Sequence, residues 1–145
     1  MKKLLAVVLA ALLLGGVLTV PVLAQSSYDE LICVLMSTPG VSVERNDQRA
    51  SAEELEEAIE AGTELIPEDC KLDPERITVL QTGYVSCDEE VFYVSFKVWS
   101  TLKRTVGLFF RAEGSEEWEL ISCNLGDVIE GQFEARGEYT IVVGW

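Results

Sequence analysis

The chain contains no histidine, few basic residues and almost no aromatic residues in its first half. The absence of histidine removes the commonest general base, and with it the usual Ser-His-Asp and Cys-His catalytic arrangements. The chain also has no glycine-rich phosphate loop and no dinucleotide fingerprint. We therefore expect a protein that is not an enzyme and that uses no cofactor.

Basic residues are outnumbered, with 11 Lys and Arg against 25 Asp and Glu and a formal charge of −14 at pH 7. Such a field repels phosphate, so nucleic acid and anionic membrane surfaces are excluded as expected partners. Cations and basic proteins suit this charge better. An excess of acid also serves solubility alone.

Aromatic residues are concentrated late in the chain, since only Tyr28 of the twelve precedes Tyr84. Phe, Tyr and Trp carry the largest apolar areas, so the core is expected to centre on residues 77–145. Residues 25–76 are expected to be helix and loop packed against it.

The first 24 residues have the pattern of a secretory signal peptide. Lys2 and Lys3 precede a charge-free run of about 17 residues, and Val22-Leu23-Ala24 suits a signal peptidase. We expect cleavage after Ala24 and a secreted or extracytoplasmic product with no stable membrane insertion. An uncleaved anchor is the alternative, because about 17 apolar residues approach the length of a membrane span. The predicted mature chain has 9 Lys and Arg against 25 Asp and Glu, a charge of −16.

The four cysteines are Cys33, Cys70, Cys87 and Cys123. An even number in an exported protein favours two disulfides, for which three connectivities exist. We expect neighbour pairing, Cys33–Cys70 and Cys87–Cys123, in which each loop of about 37 residues contributes about 4 kcal/mol. Free buried thiols are the alternative, whereas a zinc site is disfavoured because no CxxC pair and no histidine are present.

Two capping boxes predict helices in the first half. Ser51–Glu54 is followed by an apolar stripe and predicts a helix over 52–61. Ser27–Glu30 predicts a helix over 28–36, although its apolar run is equally long for a buried strand. Residues 63–76 contain two prolines and five acids, which predicts an irregular crossing segment.

From residue 77 onward the apolar period is two, which is typical of strands. The spacing predicts a mainly β protein with some α, an antiparallel sandwich of about six to seven strands preceded by one or two short helices packed on it. A break at Leu80-Gln81 predicts a bulge. The predicted strands span 77–85, 91–99, 105–111, 118–121, 128–134 and 139–143, and the third and fourth form a hairpin.

The last strands carry a resemblance. Trp118-Glu119-Leu120, Gly131-Gln132-Phe133 and the run from Gly137 to Gly144 resemble the closing strands of immunoglobulin-like sandwiches found at the C-terminus of small secreted Gram-positive bacterial proteins. The resemblance covers residues 77–145, and Tyr139 falls where a tyrosine corner would lie. It implies an immunoglobulin-like fold and an adhesive or spacing role, and it transfers no functional residue.

One strand predicts a candidate partner-binding face. Tyr93, Lys97 and Trp99 alternate with buried-type residues, and an aromatic strip on a sheet can stack sugars or seat a partner strand. The alternative is that the N-terminal helices cover this face. We favour that alternative, because their apolar stripes need a surface to pack on.

Clustered carboxylates offer two further hypotheses, weak calcium binding and a glycoside-cleaving pair. Solvated loop charge is the expected role of these residues, which are Asp88, Glu89, Glu90, Glu113, Glu116 and Glu117.

The sequence therefore predicts a secreted, non-enzymatic binding or interaction module at or beyond the cell envelope, with an unidentified protein or glycan partner. One alternative is a small acidic inhibitor or ligand of a basic secreted protein. Another is a carbohydrate-binding module.

Overall fold

The computed structural model describes residues 32–99 and 104–144, and the predicted signal peptide lies outside them. Among these residues no helix is long and apolar enough to cross a membrane. The elements in chain order are β1 (Ile32–Ser37), β2 (Ser42–Arg45), α1 (Ala52–Ala61), a 3-10 turn (Thr63–Leu65), β3 (Ile77–Ser86), β4 (Phe92–Val98), β5 (Thr105–Ala112), β6 (Glu119–Leu125), β7 (Val128–Phe133) and β8 (Gly137–Gly144).

The eight described strands form two antiparallel sheets. One sheet has the order β1-β4-β7 and the other has the order β2-β3-β8-β5-β6. They pack face to face as a sandwich, which confirms the predicted mainly β architecture. The predicted hairpin is present as β5 and β6, and the predicted bulge is present as a register shift between Val79 and Gln81.

The segment before residue 77 is less helical than the sequence predicted. The helix predicted over 28–36 is wrong from residue 32 onward, where β1 pairs with β4, and residues 28–31 lie outside the described chain. The length of the apolar run after residue 30 was compatible with either a helix or a strand. Pairing with the edge of β4 satisfies the backbone hydrogen-bonding groups of this run, so it forms a strand.

Helix α1 begins and ends where the sequence predicted. The Ser51 hydroxyl accepts a hydrogen bond from the Glu54 amide at 3.2 Å, and the Glu54 carboxylate accepts one from the Ser51 amide at 2.8 Å. This reciprocal capping box satisfies two backbone donors that a helix start would otherwise leave unpaired. Leu55, Ala58 and Ile59 form the buried face.

The core between the two sheets follows the predicted alternation of β4. Its inward side chains, Phe92, Val94, Phe96 and Val98, are fully or almost fully buried. The Phe96 ring stacks on Tyr139 of β8 with the centroids 5.0 Å apart.

A second apolar layer lies on the opposite face of the five-stranded sheet. Strand β5 is buried on both faces, because Phe110 meets Phe133 of the three-stranded sheet while Phe109 belongs to a cluster with α1. The helix and the crossing segment therefore cover the five-stranded sheet. Our expectation that the helices cover the face of Tyr93 and Trp99 is wrong, because the outward side chains of β5, β6 and β8 present the apolar surface that α1 buries. The cluster contains Leu55, Ala58, Ile59, Cys70, Leu72, Phe109, Trp118, Leu120, Cys123 and Val142.

Tyr139 is fully buried between the sheets, and its hydroxyl accepts a hydrogen bond from the Gln81 side-chain amide at 2.5 Å. A tyrosine corner bonds instead to a nearby backbone group. Burial raises the pKa of Tyr139 from 10.0 to about 12. Tyr139 is therefore a predicted source of alkaline instability.

The unfolded chain loses the Tyr139 proton at a lower pH than the folded chain does. The stability that the neutral hydroxyl contributes is fully present below pH 10, and about 2 to 3 kcal/mol is lost as the pH rises to about 12. We expect Tyr139→Phe to lose less stability than the wild type between pH 9 and pH 11.5, measured by urea unfolding at each pH. Equal declines in the two proteins would contradict this role.

Candidate functional site

The predicted face formed by Tyr93, Lys97 and Trp99 lies on the outer side of the three-stranded sheet. No described helix packs on it, and Trp99 is 54% exposed. The Lys97 ammonium lies 4.9 Å from the centroid of the Trp99 ring, within the range of a cation–π contact. The structure therefore places the three residues on the outer face of the sheet, which none of the described helices covers.

The polar atoms of this face are already engaged by acidic neighbours. Lys97 forms an ion pair with Asp127, and its hydrogen bond holds the pKa of that carboxyl below the usual value. The Tyr93 hydroxyl donates to a Glu130 carboxylate oxygen at 2.6 Å, which raises the pKa of Tyr93. Trp99 is left as the large exposed apolar surface of the strip.

A concave site that the sequence did not predict lies on the other sheet, beside the start of α1. This pocket, which we call the arginine pocket, has a volume of about 530 Å³. Its basic lining residues are Arg45, Arg49 and Arg111, and its acidic ones are Asp47, Glu54 and Glu138. Three of the nine basic residues of the predicted mature chain thus meet at one place.

The arginine pocket is held in shape by bonds between the loop 46–50 and β3. The Asn46 amide donates to the Thr82 carbonyl at 2.8 Å, and the Ala50 amide donates to the Thr82 hydroxyl at 2.8 Å. That hydroxyl also bonds to the hydroxyl of Thr140 on β8 at 3.0 Å. Both ends of the loop are therefore fixed to the sheet, so the pocket is largely preformed.

One wall of the pocket is an arginine stacked on an indole. The Arg111 guanidinium carbon lies 4.6 Å from the centroid of the Trp118 ring. Arg111 also donates from Nε and Nη2 to one oxygen of Glu138, and the Asn46 side-chain amide donates to the other oxygen at 3.3 Å. Trp118 is 8% exposed, and its buried Nε1 has no hydrogen-bond partner among the described residues.

The arginine pocket differs in charge from the rest of the molecule. Its three arginines balance its three carboxylates, so the lining is formally neutral on a predicted mature chain of −16. Two of these arginines, Arg45 and Arg49, are only four positions apart, and this local cluster of basic residues was visible in the sequence. The meeting of Arg111 with Glu138 follows from their register across β5 and β8, which no local pattern reveals.

No two of the four cysteines lie at disulfide-bonding distance in this structure, so neither of the predicted bonds is present. Cys33 is exposed on β1, paired in register with Lys97, whereas Cys70 is buried beneath α1 on the other sheet. Cys87 follows β3, with its sulfur 3.9 Å from the Pro39 carbonyl, while Cys123 is buried on β6. The predicted neighbour pairing is therefore wrong in this structure, because the partners lie on different layers or different ends of the sandwich.

The clustered carboxylates do not converge. Within residues 32–99 and 104–144, no three His, Cys, Asp or Glu side chains are grouped to hold a metal ion. Glu113 accepts a hydrogen bond from the Tyr84 hydroxyl at 2.6 Å, which assigns it a surface contact. Neither the calcium hypothesis nor the carboxylate-pair hypothesis gains support from these contacts.

Comparison with known proteins adds no family and no activity to this geometry. The chain matches no protein-family model, no curated protein and no solved structure. A functional proposal for this chain therefore depends on its two candidate surfaces, the outer face around Trp99 and the arginine pocket.

Proposed function

We propose that this chain is a secreted, non-enzymatic binding module at or beyond the cell envelope, built as an immunoglobulin-like sandwich, that takes an acidic ligand in its arginine pocket. The observation that carries the proposal is the Arg111–Trp118 stack in a preformed concavity with two further arginines. Ligand sites are usually preformed concavities with a few convergent polar groups.

The chemistry of the lining favours a carboxylate-bearing ligand. A guanidinium presents five N–H donors in a planar fork that matches a carboxylate. Arg111 gives two of these donors to Glu138 and keeps the others for a ligand. A ligand that supplies acceptors and a negative charge matches the remaining donors of Arg111 better than a neutral or basic one.

The binding test uses a matched pair of probes, glucuronate and glucose, which differ by one carboxylate. We expect glucuronate to change the tryptophan fluorescence of a Trp99→Phe variant, in which Trp118 is the tryptophan at the pocket, and glucose to leave it unchanged. Arg111→Lys keeps the charge but loses the fork, so affinity should fall about tenfold, as for one lost charge-assisted hydrogen bond. Arg136→Lys is the control, because Arg136 lies outside the pocket and is well exposed.

Equal responses to glucose and glucuronate, or equal affinities of the Arg111→Lys and Arg136→Lys variants, would contradict the acidic-ligand assignment. Export is tested separately, by mass spectrometry of the culture medium for a chain that begins at Gln25. The non-enzymatic assignment would be overturned by glycan or peptide hydrolysis that one carboxylate substitution abolishes.

A carbohydrate-binding role for the outer face is the second candidate, and the exposure of Trp99 favours it. An exposed indole on a flat sheet offers a stacking platform for a sugar ring. This candidate predicts that neutral glycans bind, that Trp99→Ala abolishes their binding and that Arg111→Lys does not. The remaining alternative, an acidic ligand of a basic secreted protein, is supported by net charge alone and predicts an affinity that falls steeply with salt.

A further inference from the structure

Two of the four thiols lie together in the layer beneath α1. Cys70, in the crossing segment, and Cys123, on β6, are 6% and 8% exposed and belong to the same apolar cluster. The two side chains lie close enough for each thiol to affect the pKa of the other. Cys33 and Cys87 belong to neither this cluster nor this layer.

Contacts of the crossing segment with β5 independently place this segment next to Cys123. The amide of Lys71 donates to the Thr105 hydroxyl at 2.9 Å, which anchors the segment at the start of β5. The next residue, Leu72, lies over Gly107. A Cβ added to Gly107 would be 3.1 Å from the Cδ1 atom of Leu72. Cys123 is the register partner of Gly107 on the neighbouring strand. Residues 70–72 thus run across β5 beside Cys123, and glycine at 107 leaves room for them.

We propose that Cys70 and Cys123 form a disulfide that fastens the crossing segment to β6, while Cys33 and Cys87 stay as thiols. This bond replaces both bonds of the neighbour pairing, which were Cys33–Cys70 and Cys87–Cys123. It closes a loop of about 50 residues that contains α1, so oxidation restricts the unfolded chain and stabilises the fold.

The oxidation is a thiol–disulfide exchange with a low-molecular-weight disulfide such as oxidised glutathione. The Cys70 thiolate attacks one sulfur of the oxidant, which releases one thiol and forms a mixed disulfide. The Cys123 thiolate then attacks the Cys70 sulfur and releases the second thiol. One protein S–S bond forms, one S–S bond of the oxidant breaks, and the oxidant takes up the two electrons and the two protons.

The order of attack follows from the two thiol pKa values. Desolvation raises the pKa of the Cys123 thiol to about 12, whereas the pKa of Cys70 is raised by less, because a hydrogen bond with Thr105 opposes the effect of burial. The thiolate is the attacking species, so Cys70 reacts first. Cys123 then acts as the resolving thiol.

The connectivity can be read directly from a tryptic digest, because each cysteine falls in a different peptide. The relevant peptides are 50–71 for Cys70, 112–136 for Cys123, 77–97 for Cys87 and the one ending at Arg45 for Cys33. Purified, folded, reduced protein is equilibrated with oxidised glutathione, alkylated and digested. We expect a 50–71/112–136 pair that reductant separates. Four alkylated cysteines, or a link that includes Cys33 or Cys87, would overturn the proposal.

A stability measurement supplies the second readout. We expect oxidation to raise Tm by about 10 °C in the wild type, a shift typical of a disulfide in a domain of this size. The Cys33→Ser/Cys87→Ser variant should show the same rise, and the Cys70→Ser/Cys123→Ser variant should show none. A rise in the latter variant would refute the assignment. If the Cys70→Ser/Cys123→Ser variant does not fold, the peptide map of the wild type tests the disulfide assignment by itself. Neither measurement depends on ligand binding in the arginine pocket.

Discussion

A Gly83→Ala variant is expected to lose about 3 kcal/mol or more of its free energy of unfolding, at or beyond the upper end of overpacking costs. An added Cβ would lie 2.2 Å from the Glu44 carbonyl oxygen and 2.6 Å from the Tyr139 ring. The oxygen belongs to β2, which is paired with β3, and the ring is fully buried between the sheets. Neither group can retreat without moving a strand, so the methyl group strains the sheet.

The effect is measured by urea or guanidinium unfolding, with Gly107→Ala as the matched control on the same sheet. A Cβ at position 107 would meet side-chain atoms of Leu72 and Val142 at 3.1 and 3.2 Å, and side chains yield more easily than backbone. We expect the control to lose about 1 kcal/mol or less. Similar losses of stability in the two variants would show that the close approach to the Glu44 carbonyl is not the reason for glycine at position 83.

A Phe109→Ala variant is expected to lose about 4 kcal/mol, the cost of removing a large side chain and leaving a cavity. Phe109 is fully buried on the outward side of β5, in the cluster that contains Leu55 and Ile59 of α1. Its removal takes away the largest apolar surface that β5 offers to the helix. The variant should therefore also lose protection of the α1 amides against hydrogen exchange.

The matched aromatic control is Trp99→Ala, because this variant tests which sheet the helix covers. Trp99 is 54% exposed on the three-stranded sheet, so its truncation should cost less than about 1 kcal/mol. Had the helix covered the face of Trp99, the two costs would be reversed. A larger loss for Trp99→Ala than for Phe109→Ala would therefore contradict the layer order of this fold.

Several local features were predictable because they depend on near neighbours in the chain. The capping box at Ser51 and Glu54 determines where α1 begins, since both groups lie within one turn. The alternation through Phe92 and Phe96 identifies the buried side of β4, because strand side chains point alternately to opposite faces. The break at Leu80-Gln81 marked the bulge of β3 for the same reason.

The candidate sites were less predictable, because their residues come from distant parts of the chain. The sequence identified Tyr93, Lys97 and Trp99 as one face, since two of them lie on β4 and Trp99 directly follows it. It did not predict the arginine pocket, whose lining comes from β2, the following loop, α1, β3, β5, the residue before β6 and β8. The cysteine arrangement was likewise mispredicted, because separation along the chain says little about which layer a thiol occupies.

The sequence by itself determined the strand periodicity, the helix start, the acidic character and the absence of histidine chemistry. Only the tertiary structure decided that β1 is a strand, that α1 covers the five-stranded sheet and that Arg111 meets Trp118 and Glu138. Periodicity and capping are governed by interactions over two to four residues. Which apolar face is covered depends on competition among surfaces that only the assembled sheets create.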